Sequence, residues 1–313
     1  MLAEQRQFGI ARTAMDPWTA AMRRGDFESA WSISDEILRA RLASGETCWH
    51  WPRHLQYVWR GAAFTGARAL VRCYHGLGDI IQFIRFAAPL RHTAREVIVW
   101  APPLLLPLLA TVSGVDRVLP LHDGTPEADY DLDMEIMELP HALRITLATL
   151  PPAVPYLFPP RLPFRIWRDS RPCIGLVWKA GDWDRRRSVP ARLLARLGQV
   201  EGLRLMSLQL GATAGELAVI GAEDLSSQDV ITTASRIREL DLVIAADTMV
   251  AHLAGALGAP AWTLLHADCD WRWMERRTDS PWYPSMRLFR QPWPGQWEPV
   301  IEEVSMALAE RFG

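Results

Sequence analysis

Leu242-Val243-Ile244-Ala245-Ala246 runs straight into Asp247-Thr248, and from there into Met249-Val250-Ala251-His252-Leu253-Ala254-Gly255-Ala256-Leu257-Gly258. An unbroken apolar run without alternation predicts a strand buried on both faces, as in a parallel sheet. The residues after Thr248 predict a helix. The junction therefore puts an acid and a hydroxyl at the carboxyl end of a strand, where the first amides of a helix favour an anion. His252 lies four residues after Thr248 and shares its helix face. A lone histidine in an apolar helix is ordinarily core; one that shares a face with a helix-start Asp-Thr pair is a binding candidate.

Outward from this junction the same grammar recurs. Cys173–Trp178, Leu203–Leu208 and Ala261–Leu265 read as further strands, with helical patterns over Ala191–Leu197, Ala214–Ile220 and Ser227–Glu239. Upstream, Ala69–Tyr74, Val97–Trp100, Arg117–Leu119 and Tyr130–Glu135 read as strands, interleaved with helical patterns over Ile80–Leu90 and Pro103–Ala110. This alternation predicts two α/β units with parallel sheets. Prolines crowd the stretch from Pro151 to Pro172 and break any regular element there. The expected organisation is a helical N-terminal extension over 1–64, a first Rossmann-like domain over 65–160, a second over 161–297, and a final amphipathic helix over 298–313. Ligands of such sheets sit beyond the carboxyl ends of the strands, so the cleft between the domains is the default site.

Two more junctions carry chemistry. Gly76-Leu77-Gly78-Asp79 follows the first strand. Its glycines allow a tight turn and close approach to a ligand, and Asp79 falls in the first helical turn, where an ordinary N-capping role competes with a catalytic one. The motif lacks the third glycine and the downstream acid of a dinucleotide fingerprint. Trp178-Lys179-Ala180-Gly181-Asp182-Trp183-Asp184-Arg185-Arg186-Arg187-Ser188 follows a buried strand of the second unit. Four cations in one loop suit a diphosphate, since guanidinium groups pair phosphate oxygens in bidentate fashion. The alternative is a solvated loop in which Asp182 and Asp184 neutralise the arginines.

Composition narrows the field. Over 313 residues, 34 basic and 36 acidic side chains leave a net charge of -2, which offers no electrostatic case for nucleic acid as a partner. No apolar run approaches the roughly 20 residues of a membrane span, and Met1–Arg12 lacks the apolar stretch of a signal peptide; a soluble, cytoplasmic protein is expected. The four cysteines lie far apart without zinc spacing. Lys179 is the only lysine, and nine of the fifteen tryptophans follow residue 166. Trp271, Trp273 and Trp282, with Tyr283, form a cluster suited to core packing between the domains or to stacking on a base or sugar.

Taken in order, G-L-G-D-x-x-Q-F-x-R-F from Gly76, G-L-V-W from Gly175 with D-R-R-R-S-V-P from Asp184, D-L-V-I-x-x-D-T-x-x-A-H-L-A-G-A-L-G from Asp241, and D-W-R-W from Asp270 with S-P-W-Y-P-S-M-R-L-F-R-Q from Ser280 resemble the family-9, heptosyltransferase-like glycosyltransferases of the GT-B fold. The branch found with tetratricopeptide repeats looks most similar, and Gly25–Arg41 would then be a single degenerate repeat. The resemblance covers about residues 65 to 312. It implies a metal-independent transferase that uses no cofactor and takes a nucleotide-diphospho-sugar as donor. The acceptor would be a lipopolysaccharide, glycan, lipid-linked or protein hydroxyl.

By position, Asp79 holds the place of the catalytic base, next to the phosphate or acceptor loop of Gly76 and Gly78. Arg187 holds that of the diphosphate contact, and Asp247, Thr248 and His252 the donor segment. Lys179, Arg186 and Gln209 complete the expected donor-side set. The final helix would cross back onto the first domain, as in GT-B folds generally. Met249 stands where the family often has glycine, which narrows the donor side. No D-x-D pair stands at a strand-to-helix junction; Asp131 and Asp133 lie within a predicted strand, and Asp268-Cys269-Asp270 alone is weak evidence for a metal. A non-catalytic nucleotide-sugar-binding relative and a nicotinamide-dependent oxidoreductase are the competing functions.

Overall fold

The computed structural model describes residues 15–160, 162 and 169–313. The expected domain division at 160/161 adjoins residues outside that set, and the leader reading of Met1–Arg12 lies wholly outside it. Among the described residues no helix is long and apolar enough to cross a membrane.

The chain opens with α1 (Pro17–Arg24) and α2 (Phe27–Ser44). Asp16 caps α1 by accepting from the Thr19 amide at 3.0 Å, Asp26 caps α2 through the Ser29 amide, and Gly25 turns the chain between them in the left-handed region. The first sheet is built from β1 (Arg68–Arg72), α3 (Leu77–Phe83), α4 (Ala87–Arg91), β2 (Glu96–Ala101), α5 (Leu106–Leu109), β3 (Arg117–Pro120), β4 (Leu132–Glu135) and α6 (Leu139–Ala142). The second follows with β5 (Cys173–Val177), α7 (Ala191–Leu194), β6 (Arg204–Ser207), α8 (Ala214–Ile220), β7 (Ala222–Asp224), α9 (Val230–Ile237), β8 (Leu242–Ala246), α10 (Met249–Ala256), β9 (Ala261–Leu265), β10 (Met286–Arg290) and α11 (Glu298–Phe312).

Strand order is β3-β2-β1-β4 in one sheet and β10-β9-β8-β5-β6-β7 in the other. Every pairing within them is parallel. The strand order reverses at β1 in the first sheet, which has β2 on one side and β4 on the other, and at β5 in the second, which lies between β6 and β8. At such points the loops leaving neighbouring strands splay to opposite faces and open a crevice. The loops after β1 and β4 flank one such point, and the loops after β5 and β8 flank the other. This is an α/β molecule with two parallel, helix-covered sheets.

One apolar cluster runs from Val71, Ile80 and Phe83 on the first sheet's side to Val177, Val243 and Ala251 on the second's, so the two units share a core. The helical extension joins that seam. Phe27 stacks on Trp282 at 6.1 Å and Trp18 meets Trp271 edge-on at 5.6 Å. The Trp31 indole donates to the Ile145 carbonyl, and Arg23 donates to the Cys269 carbonyl at 2.7 Å.

The final helix departs from expectation. Val300, Ile301, Val304 and Leu308 of α11 pack with Ile174, Leu176, Trp262 and Phe289, all on the second sheet's side. The nearest apolar surface to a helix that leaves β10 within eight residues is the outer face of β9 and β10, and α11 covers that face instead of crossing to the first domain.

Candidate active site

The two strand-reversal points meet. A Cβ added to Gly78, in the first turn of α3, would lie 2.7 Å from His252 Cδ2 and 3.5 Å from the Met249 Cα. Only glycine lets the start of α3 rest on the start of α10. Gly255 serves the same seam one turn further on, where a Cβ would meet the Tyr283 ring at 2.5 Å. Residues expected to act together from two separate domains are thus neighbours.

Arg272 ties the junctions together. It sits in the turn Trp271–Trp273, capped by Asp270, and is buried. One end of its guanidinium lies 2.6 Å from Asp79 Oδ1, its Nε is 3.0 Å from Asp270, and it donates to Gln82 Oε1 at 2.8 Å. Burial opposes its charge, but Asp270, Asp79 and Asp247 outweigh that and hold it protonated more firmly than usual. In return, although burial disfavours the charged form of Asp79, Arg272, His252 and His75 keep its carboxyl below the usual carboxylate range. The other Asp79 oxygen accepts from the Gly76 amide at 3.0 Å, so both oxygens are engaged.

At the second junction Asp247 is buried, with His252 Nε2 3.6 Å from its carboxylate. His252 is locked: its Nδ1 is 2.9 Å from the Tyr283 hydroxyl and its ring stacks on Trp273 at 5.3 Å. Burial would raise the Asp247 carboxyl, but His252 and the nearby Arg272 bring it down to about 2. Arg187 donates to the Asp247 backbone carbonyl at 3.0 Å. The Thr248 hydroxyl and Arg187 Nε are shielded from solvent without a partner among the described residues, beside the free amides that open α10. Unspent donors at a helix start beside a guanidinium are the groups that binding an anion would call on.

The remaining expected donor residues separate. Lys179 Nζ lies 2.7 Å from Glu216, and Arg186 pairs with Asp184 at 2.8 Å. Gln209 is engaged by the backbone. Its Oε1 accepts from the Trp178 and Lys179 amides at 3.1 and 2.7 Å, and its Nε2 donates to the Leu210 carbonyl. That side chain shapes the root of the basic loop, its oxygen taken up by two backbone amides and one of its two Nε2 hydrogens by a carbonyl. Asp131 and Asp133 are spent on Arg68 and Arg72. Trp273 and Trp282 are fully buried at the seam, the Trp282 indole donating to the Arg272 carbonyl at 2.7 Å, while Trp271 lies against Phe83.

Three positions at the meeting junctions escaped the sequence reading: Arg272, and the pair His75 and Glu135. His75 Nδ1 lies 2.9 Å from Glu135 Oε1. His75 directly precedes Gly76 and Glu135 ends a strand that was read correctly, but their contact joins residues sixty apart through strand register. No local pattern announces it.

No family model matches the chain. Solved structures share its fold at low sequence identity. A family-9 glycosyl transferase from Veillonella parvula DSM 2008 is 11% identical with a TM-score of 0.52, over 74% of this chain and 88% of that one. The ADP-heptose lipopolysaccharide heptosyltransferase II of E. coli is 16% identical with a TM-score of 0.52, over 79% and 100%. E. coli heptosyltransferase WaaC, solved with ADP-2-deoxy-2-fluoro heptose, is 12% identical with a TM-score of 0.51, over 78% and 99%. The fold is therefore GT-B, as in the heptosyltransferases. Protein FlbA of Caulobacter vibrioides is 27% identical over 295 residues, covering 80% of this chain and 48% of that protein; the chain spans about half the length of that relative.

Proposed function

We propose that this chain is a glycosyltransferase that moves a sugar from a nucleotide-diphospho-sugar to a hydroxyl of a lipopolysaccharide, glycan or protein acceptor. The observation that carries this reading is the meeting of the β1–α3 and β8–α10 junctions at Gly78 and His252, which sets a carboxylate-bearing loop of one unit against an anion seat of the other. On this reading the leaving diphosphate lies at the start of α10, against the Thr248 hydroxyl and Arg187. These groups neutralise charge as the sugar–phosphate bond breaks, and a divalent metal is not required for that step. Asp247 orients the seat through His252 rather than touching phosphate itself, since like charges repel. The acceptor hydroxyl lies on the side of the first sheet, near Asp79. The ADP-heptose analogue bound by WaaC supports a donor of this class.

Calorimetry with ADP, UDP and GDP tests the donor seat. At least one is expected to bind, and Arg187→Ala is expected to weaken it by about tenfold or more, the worth of a charge-assisted contact. No nucleoside diphosphate bound at millimolar concentration, or no release of one from a panel of diphospho-sugars, sinks the reading.

A further inference from the structure

We propose that His75, oriented by Glu135, is the group that takes the proton from the acceptor hydroxyl, and that Asp79 is the positioning residue beside it. The proposal rests on the glycosyl-transfer reading and assigns within it a role that the family resemblance gives to Asp79.

The placement comes from the sheet. Glu135, the last residue of β4, is paired in register with Arg72, the last residue of β1. His75 follows three residues later, so both side chains emerge at the carboxyl ends of adjacent strands, on either side of the first sheet's reversal point. Glu135 is buried and rigidly held: its Oε1 accepts from the Tyr74 amide at 3.0 Å and its Oε2 from the Met137 amide at 2.6 Å. Nδ1 faces this carboxylate at 2.9 Å, off the line of an ideal hydrogen bond, and the adjacent negative charge favours the tautomer with its proton on Nδ1, which leaves the lone pair on Nε2. No described residue hydrogen-bonds to Nε2, and the side chain is 28% exposed.

The two rival bases in the crevice lack this freedom. Asp79 has one oxygen on Arg272 and the other on the Gly76 amide. A carboxylate held below its usual range is also the weaker proton acceptor near neutral pH. His252 has Nδ1 on Tyr283 and Nε2 towards Asp247, with a side chain only 4% exposed. Arg272 holds Asp79, Asp79 holds the Gly76 amide, and Gly76 follows His75 directly. Asp79 therefore acts on the step by setting the loop that presents the imidazole.

In the step, the acceptor oxygen forms a bond to the anomeric carbon while its proton passes to His75 Nε2. The bond from that carbon to the diphosphate oxygen breaks, and its electron pair leaves with the diphosphate. The imidazolium is stabilised by Glu135 and later loses its proton to solvent. The charged groups facing His75 are Glu135 from β4, Asp79 from α3 and Arg272 from the turn after Asp270. Burial and Arg272 disfavour the imidazolium, but the Glu135 carboxylate 2.9 Å away, with Asp79, outweighs them and raises its pKa above the ordinary value.

The experiment follows release of nucleoside diphosphate from a diphospho-sugar that the wild type turns over, against pH. A histidine base predicts kcat/KM rising with pH and levelling off above the ordinary histidine value of about 6.5. His75→Gln, which keeps an amide for Glu135, is expected to lose about a hundredfold or more in kcat and to lose the inflection, with calorimetric affinity unchanged for whichever of ADP, UDP and GDP the wild type binds. Asp79→Asn is slower but keeps the inflection in its residual activity. A wild-type profile flat between about pH 6 and 8, or a His75→Gln enzyme within about threefold of wild type, overturns the assignment and leaves the transferase reading standing. Absence of turnover with every donor overturns the transferase reading, and the assignment falls with it.

Discussion

At the β8–α10 junction a histidine is sealed: His252 is bonded through one nitrogen, faces Asp247 through the other and is stacked on Trp273. At the β1–α3 junction a histidine is half open, with one nitrogen 2.9 Å from Glu135 and the other without a hydrogen bond to any described residue. Both junctions are a buried strand, a turn and a helix start with an aspartate nearby. They differ in what the rest of the chain lays over them. Tyr283 and Trp273 arrive from the segment between β9 and β10 and close the first; the second is left open on the side where an acceptor would enter. The same local design is thus sealed in one place and left partly open in the other, and the surrounding packing makes the distinction.

Removing the cation that joins the two junctions should have the largest effect. Arg272→Met leaves Asp79 and Asp270 without their shared partner in a buried setting, and is expected to cost about 3–5 kcal/mol in urea denaturation. A loss under about 1 kcal/mol would mean that the carboxylates find water or other donors at no expense, and that the seam is looser than its distances say. Next comes the contact itself. Gly78→Ala puts a methyl 2.7 Å from a His252 ring that Tyr283 and Trp273 hold in place, with an expected cost of about 1–3 kcal/mol. The matched control is Gly181→Ala, where nothing lies within 4 Å of the added carbon and the melting temperature should not fall. The smallest effect is expected at Lys179→Met. Its pair with Glu216 is partly exposed, so about 0–1 kcal/mol should be lost, and less in high salt. An equally small change in nucleoside diphosphate affinity would sharpen the contrast between this paired lysine and the inward-turned Arg187.

Much of this was readable in advance, for a physical reason. Strands such as Leu242–Ala246 and Cys173–Val177 are buried on both faces, so their apolar runs are unbroken, and the turns after them carry their glycines and acids in sequence. β7 was not read because an exposed edge strand of three residues, Ala222–Asp224, has no apolar run. β10 was missed because Met286–Arg290 interleaves arginines with its apolar residues, as befits an edge. The surroundings of Gln209 were not readable, because the sequence shows an amide beside the basic loop but not the two backbone donors it satisfies. Arg272 looked like one arginine among tryptophans, and its three carboxylate neighbours come from three separate stretches. The path of α11 depends on which apolar surface lies nearest in space, which amphipathicity alone does not encode.

The helical extension has a mechanical consequence. Its first two helices hold the first unit through Trp31 and Ile145 and the second through Arg23 and Cys269. Any rigid rotation that parted the lobes must stretch this splint or carry it to one side. Part of the resistance to breathing is thus borne outside the crevice, beside that of the shared core, and amide hydrogen exchange along α1 should respond when the lobes part.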